Sequence, residues 1–461
     1  MNQHLNPVAL PSEAQFAAIA DFALGADLSI PDHALQHCST LLIDTLGVAA
    51  GATVLEVGHI ARDFAVDFHA AGSPENAASM LFDGRKVSLP GAAWALATQI
   101  DNLDGHDGYN KTKGHIGCAV VPALFAFAET QPDLTGLDAL RTLAMSYEIA
   151  ARAGLALHAT VSDYHTSGAW NALGVAALGC RLKGASADQL RHAMGLAEYH
   201  GPRSQMMREI DNPTMLHDGS GMGALVGCSA TLLAMRGFTG APAITAEADE
   251  VAGYWSDLGQ SWTVAENYIK PYPSCRWGHA ALDALQQVMR DNPQVNQNSV
   301  ASIEVRTFDE AARLFAGMPE STTQAQYSLQ FVMAVMLKHG TVAPAHIAGA
   351  GLKDPEIATI IPKITAKAAQ AHNARFPEGR WSDVEVVLTD GTRLQSEDTP
   401  ASGGPDAWRP DADIEAKFHS FCEGRLSETR AKSIWAMRDA MLSPETRFSD
   451  LAKLVNPGCD A

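Results

Sequence analysis

The sequence predicts a mainly α protein, a large helical domain followed by a smaller mixed one, on three observations. From Glu13 to about Tyr254 the chain is a succession of Ala- and Leu-rich stretches with apolar residues three and four apart, broken by short Gly, Pro, Asp and Ser signals. After Lys270 the pattern turns to alternation, as in Ser302-Ile303-Glu304-Val305-Arg306. Beyond a Pro- and Gly-rich stretch at 399–410, helical spacing returns. A chain of 461 residues also exceeds the usual size of one hydrophobic core. The expected division is 1–268 for the helical domain, 269–410 for the α+β domain, and 411–461 as helices that return to complete the first.

Helices are expected at 12–24, 31–50, 91–103, 116–129, 137–158, 167–182, 187–198 and 221–236, each with one apolar side at helical spacing. Their faces are rich in Ala and Gly, which favours close helix packing. Thr166 or Ser167 is placed to cap the 167–182 helix. Gly219-Ser220-Gly221-Met222-Gly223-Ala224 matches a dinucleotide-loop pattern superficially, but no strand precedes it, so it reads as a helix start. In the mixed region, strands are expected at 300–308 and 384–388. The second runs into Thr389-Asp390-Gly391-Thr392, a hairpin signal. Helices at 328–338 and 354–361, a short piece near Ala343, a linker at 399–410 and helices at 414–421, 427–442 and 447–454 complete the chain.

With 52 acidic against 33 basic residues, the formal charge of −19 repels nucleic acid and anionic lipid. A small anionic substrate stays compatible if the cleft is locally basic. Seven cysteines, at 38, 118, 180, 228, 275, 422 and 459, show no CxxC spacing and cannot all pair, which points to reduced thiols. Met1 to Ser12 has no apolar leader core, and no run approaches about 18 uninterrupted apolar residues. The expectation is a cytoplasmic protein with no nucleic-acid or membrane partner.

Three clusters carry ionisable groups. Leu103-Asp104-Gly105-His106-Asp107-Gly108, followed by Lys111, Lys113 and Gly114-His115-Ile116-Gly117 at the head of an apolar helix, sets acids and imidazoles against a helix N-terminus. Free N–H groups there favour a bound carboxylate and a neutral, basic histidine. A solvated polar loop is the plainer alternative; a metal site is a third, although the spacing fits neither an EF-hand nor HExxH. Tyr268-Ile269-Lys270-Pro271-Tyr272-Pro273-Ser274-Cys275-Arg276 lies at the domain boundary, its prolines fixing the backbone from which Lys270 projects. Desolvated near Arg276, that lysine would lose its proton near neutrality and act as a base; a structural turn with a surface lysine competes equally. Asp163-Tyr164-His165-Thr166-Ser167-Gly168 offers His165 as a site or hinge residue, and Tyr147, mid-helix, suits core better than chemistry.

Taken together, Thr45-Leu46-Gly47, Leu103-Asp104 before His115-Ile116-Gly117, Gly237-Phe238-Thr239-Gly240, Lys270-Pro271-Tyr272-Pro273-Ser274-Cys275-Arg276 and Gln326-Tyr327-Ser328-Leu329 resemble the MmgE/PrpD family over nearly the whole chain. That family includes 2-methylcitrate dehydratase, cis-aconitate decarboxylase and iminodisuccinate epimerase. The resemblance implies a large all-helical domain, a smaller α+β lid domain, a homodimer and no required cofactor or metal. It carries Asp104, His115 and Lys270 over to the family's acid, histidine and lysine positions, and His165 more loosely. The chain departs where the family commonly reads Leu-Asp-Phe-Asp-Asp-Thr, which leaves no threonine and places His106 at an acid. It also lacks the lysine often found ahead of Leu-His-Pro-Gly, where Thr214-Met215-Leu216-His217-Asp218-Gly219 stands.

Fewer cationic and hydroxyl contacts weigh against a tricarboxylate substrate. The leading expectation is therefore a cofactor-independent epimerase that exchanges an α-proton between two bases on an amino- or imino-dicarboxylate, most concretely iminodisuccinate. Lys270 and either His115 or Tyr147 would be the bases, with Asp104 beside them. His106, Lys111, Lys113, His165 and Arg276 would hold substrate. A hydro-lyase or decarboxylase acting on a tricarboxylate is the alternative, and a non-catalytic binding protein of the same fold the second.

Overall fold

The computed structural model describes residues 13–26 and 28–456; Met1 to Ser12 and Cys459 lie outside them. The protein is mainly helical. Helices at Glu13–Leu24, Asp32–Gly51, Leu89–Asp101, Gly117–Ala128, Gly136–Thr160, Gly168–Lys183, Ala187–His200 and Ser220–Ala234 begin and end within two residues of the expected positions. Their small residues bring the backbones together. A Cβ at Gly174 would meet the Ser146 carbonyl at 2.6 Å, and one at Gly227 the Ala172 carbonyl at 2.6 Å. Gly168–Lys183 thereby sits between Gly136–Thr160 and Ser220–Ala234 at the centre of the bundle. The stretch Asp32–Val54 is long and apolar enough, by length and composition, to cross a membrane, and 78% of that window is buried inside the fold.

The Glu56–Phe68 helix was not expected. Val57, Ala61 and Ala65 are buried on one side while Ile60, Phe64 and Phe68 are exposed on the other.

The mixed region holds a sheet ordered Ile364–Ala368, Val300–Thr307, Trp381–Leu388, Arg393–Gln395. The first pair is parallel, with Ile303 opposite Ile364. The others are antiparallel, with Val305 opposite Val384 and Val386 opposite Leu394. The Asp390-Gly391 turn joins the last pair, Gly391 at φ +88° as the tight turn demands. The His279–Asp291 and Leu329–His339 helices pack against each other and against this sheet. The edge strand Ile364–Ala368 escapes sequence reasoning because only Ile364 in it is buried, leaving no alternation to see.

The expected linker at 399–410 is instead built into the fold. Thr399–Pro400 pairs with Trp381–Leu388, and the Gly403 carbonyl accepts from the Ile269 N–H at 2.8 Å. A Cβ on Gly403 would run into the Ile269 carbonyl. Asp411–Cys422 and Glu428–Ala440 pack on Asp32–Gly51, and Phe448–Val455 packs on Gly117–Ala128. Lys417 fixes that return: it is buried, pairs with both Asp44 oxygens at 2.7 and 2.8 Å and donates to the Gly105 carbonyl at 2.7 Å.

Candidate active site

Three helix N-termini converge behind the loop between Leu89–Asp101 and Gly117–Ala128. The Gly117 N–H donates to Asp107 Oδ2 at 3.4 Å, the Ser220 N–H donates to Asp101 Oδ2 at 3.1 Å, and Ser167 precedes the Gly168–Lys183 helix. Their dipoles favour negative charge. Four non-glycine residues among those described have positive φ, and Asp104 (+55°), Lys113 (+54°) and His217 (+46°) are three of them. Such strain, costing about 1–3 kcal/mol each, persists where surrounding structure imposes it.

The loop is stitched to the Lys270 segment by paired backbone hydrogen bonds between Gly108 and Tyr268, at 3.1 and 2.8 Å. This delivers Lys270 to Asp104. Lys270 Nζ donates to the Asp104 carbonyl at 3.1 Å and forms an ion pair with Asp104 Oδ1, with both residues buried. Burial works to strip the lysine of its charge, but Asp104 and Tyr268 outweigh it and hold the pKa above the ordinary lysine value. The expected neutral amine is thus corrected: Lys270 is a cation, because its nearest neighbour is a carboxylate.

His115 takes the opposite state. Its Nδ1 lies 2.7 Å from the Asp107 carbonyl, which assigns the proton to Nδ1 and leaves the Nε2 lone pair available. Burial first, then Lys270 and His106, keep its pKa well below the usual histidine value, so the ring is neutral and basic. Nε2 faces Asp218 Oδ2 at 3.5 Å. Asp218 Oδ1 accepts from Ser167 Oγ at 2.7 Å, and that hydroxyl also accepts from the His115 N–H at 2.9 Å.

Across from these groups stand Lys113, Arg276 and Arg380. Each lines the same cavity as Asp104, His115, Asp218 and Lys270, and among the described residues none of the three forms an ion pair. Arg276 and Arg380 are buried, and among the described residues the Nε of each has no hydrogen-bond partner. The remaining nitrogens of Arg276 donate to the Ser402 and Ala401 carbonyls, at 2.5 and 2.9 Å, and its guanidinium lies 4.3 Å from the Tyr268 ring centre. Burial lowers the pKa of all three, that of Arg276 to about 10, and all stay charged at neutral pH. The cavity has about 20 Å3 of free space, room for about one water. A larger substrate therefore needs residues of this lining to move.

The structure brings together Asp104, Lys113, His115, Lys270 and Arg276 from the expected set and sets the others apart. His106 is buried beneath His115, ring centres 4.5 Å apart, with Nε2 3.5 Å from Asp101 Oδ1. Burial opposes its charge and Asp101 reverses that, leaving the pKa raised. Tyr147 is fully buried behind Asp107, its hydroxyl beside that carboxylate but off hydrogen-bonding geometry. Lys111 points outward and pairs with Glu266 at 2.9 Å. His165 is half-buried, Nδ1 2.8 Å from the Asp163 carbonyl, off the cavity wall. Sequence reasoning missed Asp218, Tyr268, Tyr327 and Arg380 as lining residues. The Asp101, His106 and Cys118 donor atoms lie within 4.8 Å of one another, where Asp101 is already engaged by Ser220 and His106.

The loop tolerates no side chain at Gly117: a Cβ there would overlap Asp107 Oδ1 and the Tyr147 hydroxyl. Gly117→Ala is expected to cost about 1–3 kcal/mol of stability by overpacking and to lower activity by displacing the carbonyl that orients His115. Thermal denaturation and kcat together check this.

The family models for the N-terminal and C-terminal MmgE/PrpD domains match residues 17–260 and 272–441. The chain belongs to the MmgE/PrpD family. Lys270 falls in the junction between the two matched segments, where the cavity walls meet. The chain is 24% identical to cis-aconitate decarboxylase of Homo sapiens over 88% of its length and 87% of the relative. It is 21% identical to that of Mus musculus, covering 88% and 86%, and 22% identical to that of Aspergillus terreus, covering 92% of each.

Proposed function

We propose that this MmgE/PrpD protein is a lyase acting without a cofactor on a small polycarboxylate, with decarboxylation of a tricarboxylate as the first reaction to test. The supporting observation is three cations without ion pairs among the described residues, the buried Arg276 and Arg380 and the half-buried Lys113, lining one cavity with a neutral His115 and a cationic Lys270. A buried charge with no counter-ion is costly, and bound carboxylates would remove that cost. Arg380 also offsets the lysine that the sequence lacks ahead of His217, which weakens the objection to three carboxylates. The names of the three relatives, matched over most of their length, favour decarboxylation over dehydration.

In that reaction the C–C bond to one carboxylate breaks and CO2 leaves. The electron pair stays on carbon, spread toward the neighbouring unsaturation and the cations around it. Lys270 Nζ donates the proton that ends the carbanion and is reloaded from solvent. A second reading, epimerisation of an imino-dicarboxylate such as iminodisuccinate, is favoured by the same pair of protonation states: neutral His115 removes the α-proton while cationic Lys270 returns one. The two differ in mass balance.

NMR of the protein with cis-aconitate, 2-methylcitrate and iminodisuccinate in deuterated water separates them. Decarboxylation gives CO2 and a carbon-bound deuterium, dehydration an alkene, and epimerisation α-deuterium with composition unchanged. Arg380→Ala is expected to raise KM by about 10–100-fold, from the ~1.5–3 kcal/mol of a charge-assisted hydrogen bond. No turnover and no binding of any of the three acids would end the proposal.

A further inference from the structure

Asp218 is the carboxylate of this pocket whose charge is least compensated. Asp104 is neutralised by Lys270, and Asp44, beneath the loop, by Lys417. Asp218 is just as buried, yet among the described residues its side chain receives a hydrogen bond only from the neutral Ser167 hydroxyl, on Oδ1. Oδ2 is left facing His115 Nε2 at 3.5 Å. Because the His115 proton is on Nδ1, that contact sets a carboxylate oxygen against an imidazole lone pair, an arrangement a single proton would convert into a hydrogen bond.

We propose that Asp218 takes up one proton from solvent when a polycarboxylate binds, so that the pocket adjusts its own charge to the ligand. The proton goes onto Oδ2 and is donated toward His115 Nε2. This deepens the polycarboxylate proposal and rests on it. Lys113, Lys270, Arg276 and Arg380 face Asp104 and Asp218 across one cavity. That leaves two net positive charges when Asp218 is ionised, matching a dicarboxylate, and three when it is protonated, matching a tricarboxylate.

The groups around Asp218 support the direction. Burial raises its pKa to about 7; Asp101 and Asp104 push the same way, and Ser167 and Lys270 push against them. The other titratable groups acting on it do not compete for the proton. Tyr164 and Tyr327 are held well above the ordinary phenol value by burial, Cys275 is pushed up to about 12 and Cys118 is raised well above the ordinary thiol value. His115 and His217 are both lowered by burial. A ligand carboxylate entering beside Asp218 adds a further like charge and moves its proton affinity upward.

Calorimetric titration with cis-aconitate and with succinate near pH 7.5, in two buffers of different ionisation enthalpy, tests the proposal. Binding of cis-aconitate is expected to take up more than half a proton in the unsubstituted protein, since a carboxyl titrating at about 7 is mostly but not wholly ionised at that pH, and close to none in Asp218→Asn. Succinate is expected to take up less than cis-aconitate. Binding without proton uptake, or uptake that persists in the variant, overturns the role of Asp218 while the polycarboxylate proposal stands. Failure of both acids to bind overturns both. Should the variant not fold, the protonated-carboxyl band in the infrared difference spectrum of the unsubstituted protein on binding cis-aconitate decides: it appears if Asp218 is protonated, and its absence overturns the role.

Discussion

Replacing His115 with Asn lowers kcat for α-proton exchange on an imino-dicarboxylate, the reaction in which His115 is the base, by about 10²–10⁴-fold while leaving the fold in place. Asn retains a side-chain N–H close to the position of Nδ1, which satisfies the Asp107 carbonyl 2.7 Å away, and removes Nε2, the atom that faces the cavity. The loss therefore falls on proton transfer rather than on the loop. The pH dependence carries a second signature. Burial, Lys270 and His106 together depress the His115 pKa, so the ring is already neutral below its ordinary value of about 6.5. The acid limb of kcat/KM attributable to it should lie below that pH. Removing the His106 cation with His106→Gln should move this limb upward, since one of the depressing charges is gone. A His115→Asn enzyme with unchanged kcat would remove the imidazole from the chemistry.

Local pattern reveals the framework of this protein better than its site. The helices of the bundle announce themselves because each buries a face against Ala- and Gly-rich neighbours, and the Asp390-Gly391 turn because few residues adopt φ near +88°. Asp104, His115 and Lys270 stand out in sequence through residue type and the stiff segments around them. Their protonation states do not, because those depend on a partner far along the chain: Lys270 is a cation through Asp104, contrary to the base that a desolvated lysine beside Arg276 suggests. Arg380 just precedes a strand with no spacing cue, and only the sheet that carries Trp381–Leu388 delivers it to the cavity. Asp218 lies in Thr214-Met215-Leu216-His217-Asp218-Gly219, where neither residue type nor spacing marks the acid as buried. The chain distance between these residues hides a site that the fold makes compact.

Lys270→Met should be the most damaging single substitution, and for two separable reasons. The thioether occupies the space of the lysine stem but leaves Asp104 buried without its counter-charge. Breaking such a pair costs about 3–5 kcal/mol, readable as a lowered midpoint in chemical denaturation. The same change removes the acid that the proposed reaction needs, so kcat falls with it. Adding Asp104→Asn removes the orphaned charge and should restore most of the stability without restoring turnover, which distinguishes a structural ion pair from a proton donor. The pH dependence follows from the sign of the shift. The Lys270 pKa in the folded protein lies above its unfolded value of about 10.4. Its stabilisation is thus fully present below that pH and is lost as pH rises through the higher folded value. The stability gap between the unsubstituted protein and Lys270→Met should hold constant across neutral pH and narrow only in strong alkali. A gap that closed near pH 7 would mean that Lys270 loses its proton there after all, and would return the neutral-amine base, with two-base epimerisation, to first place.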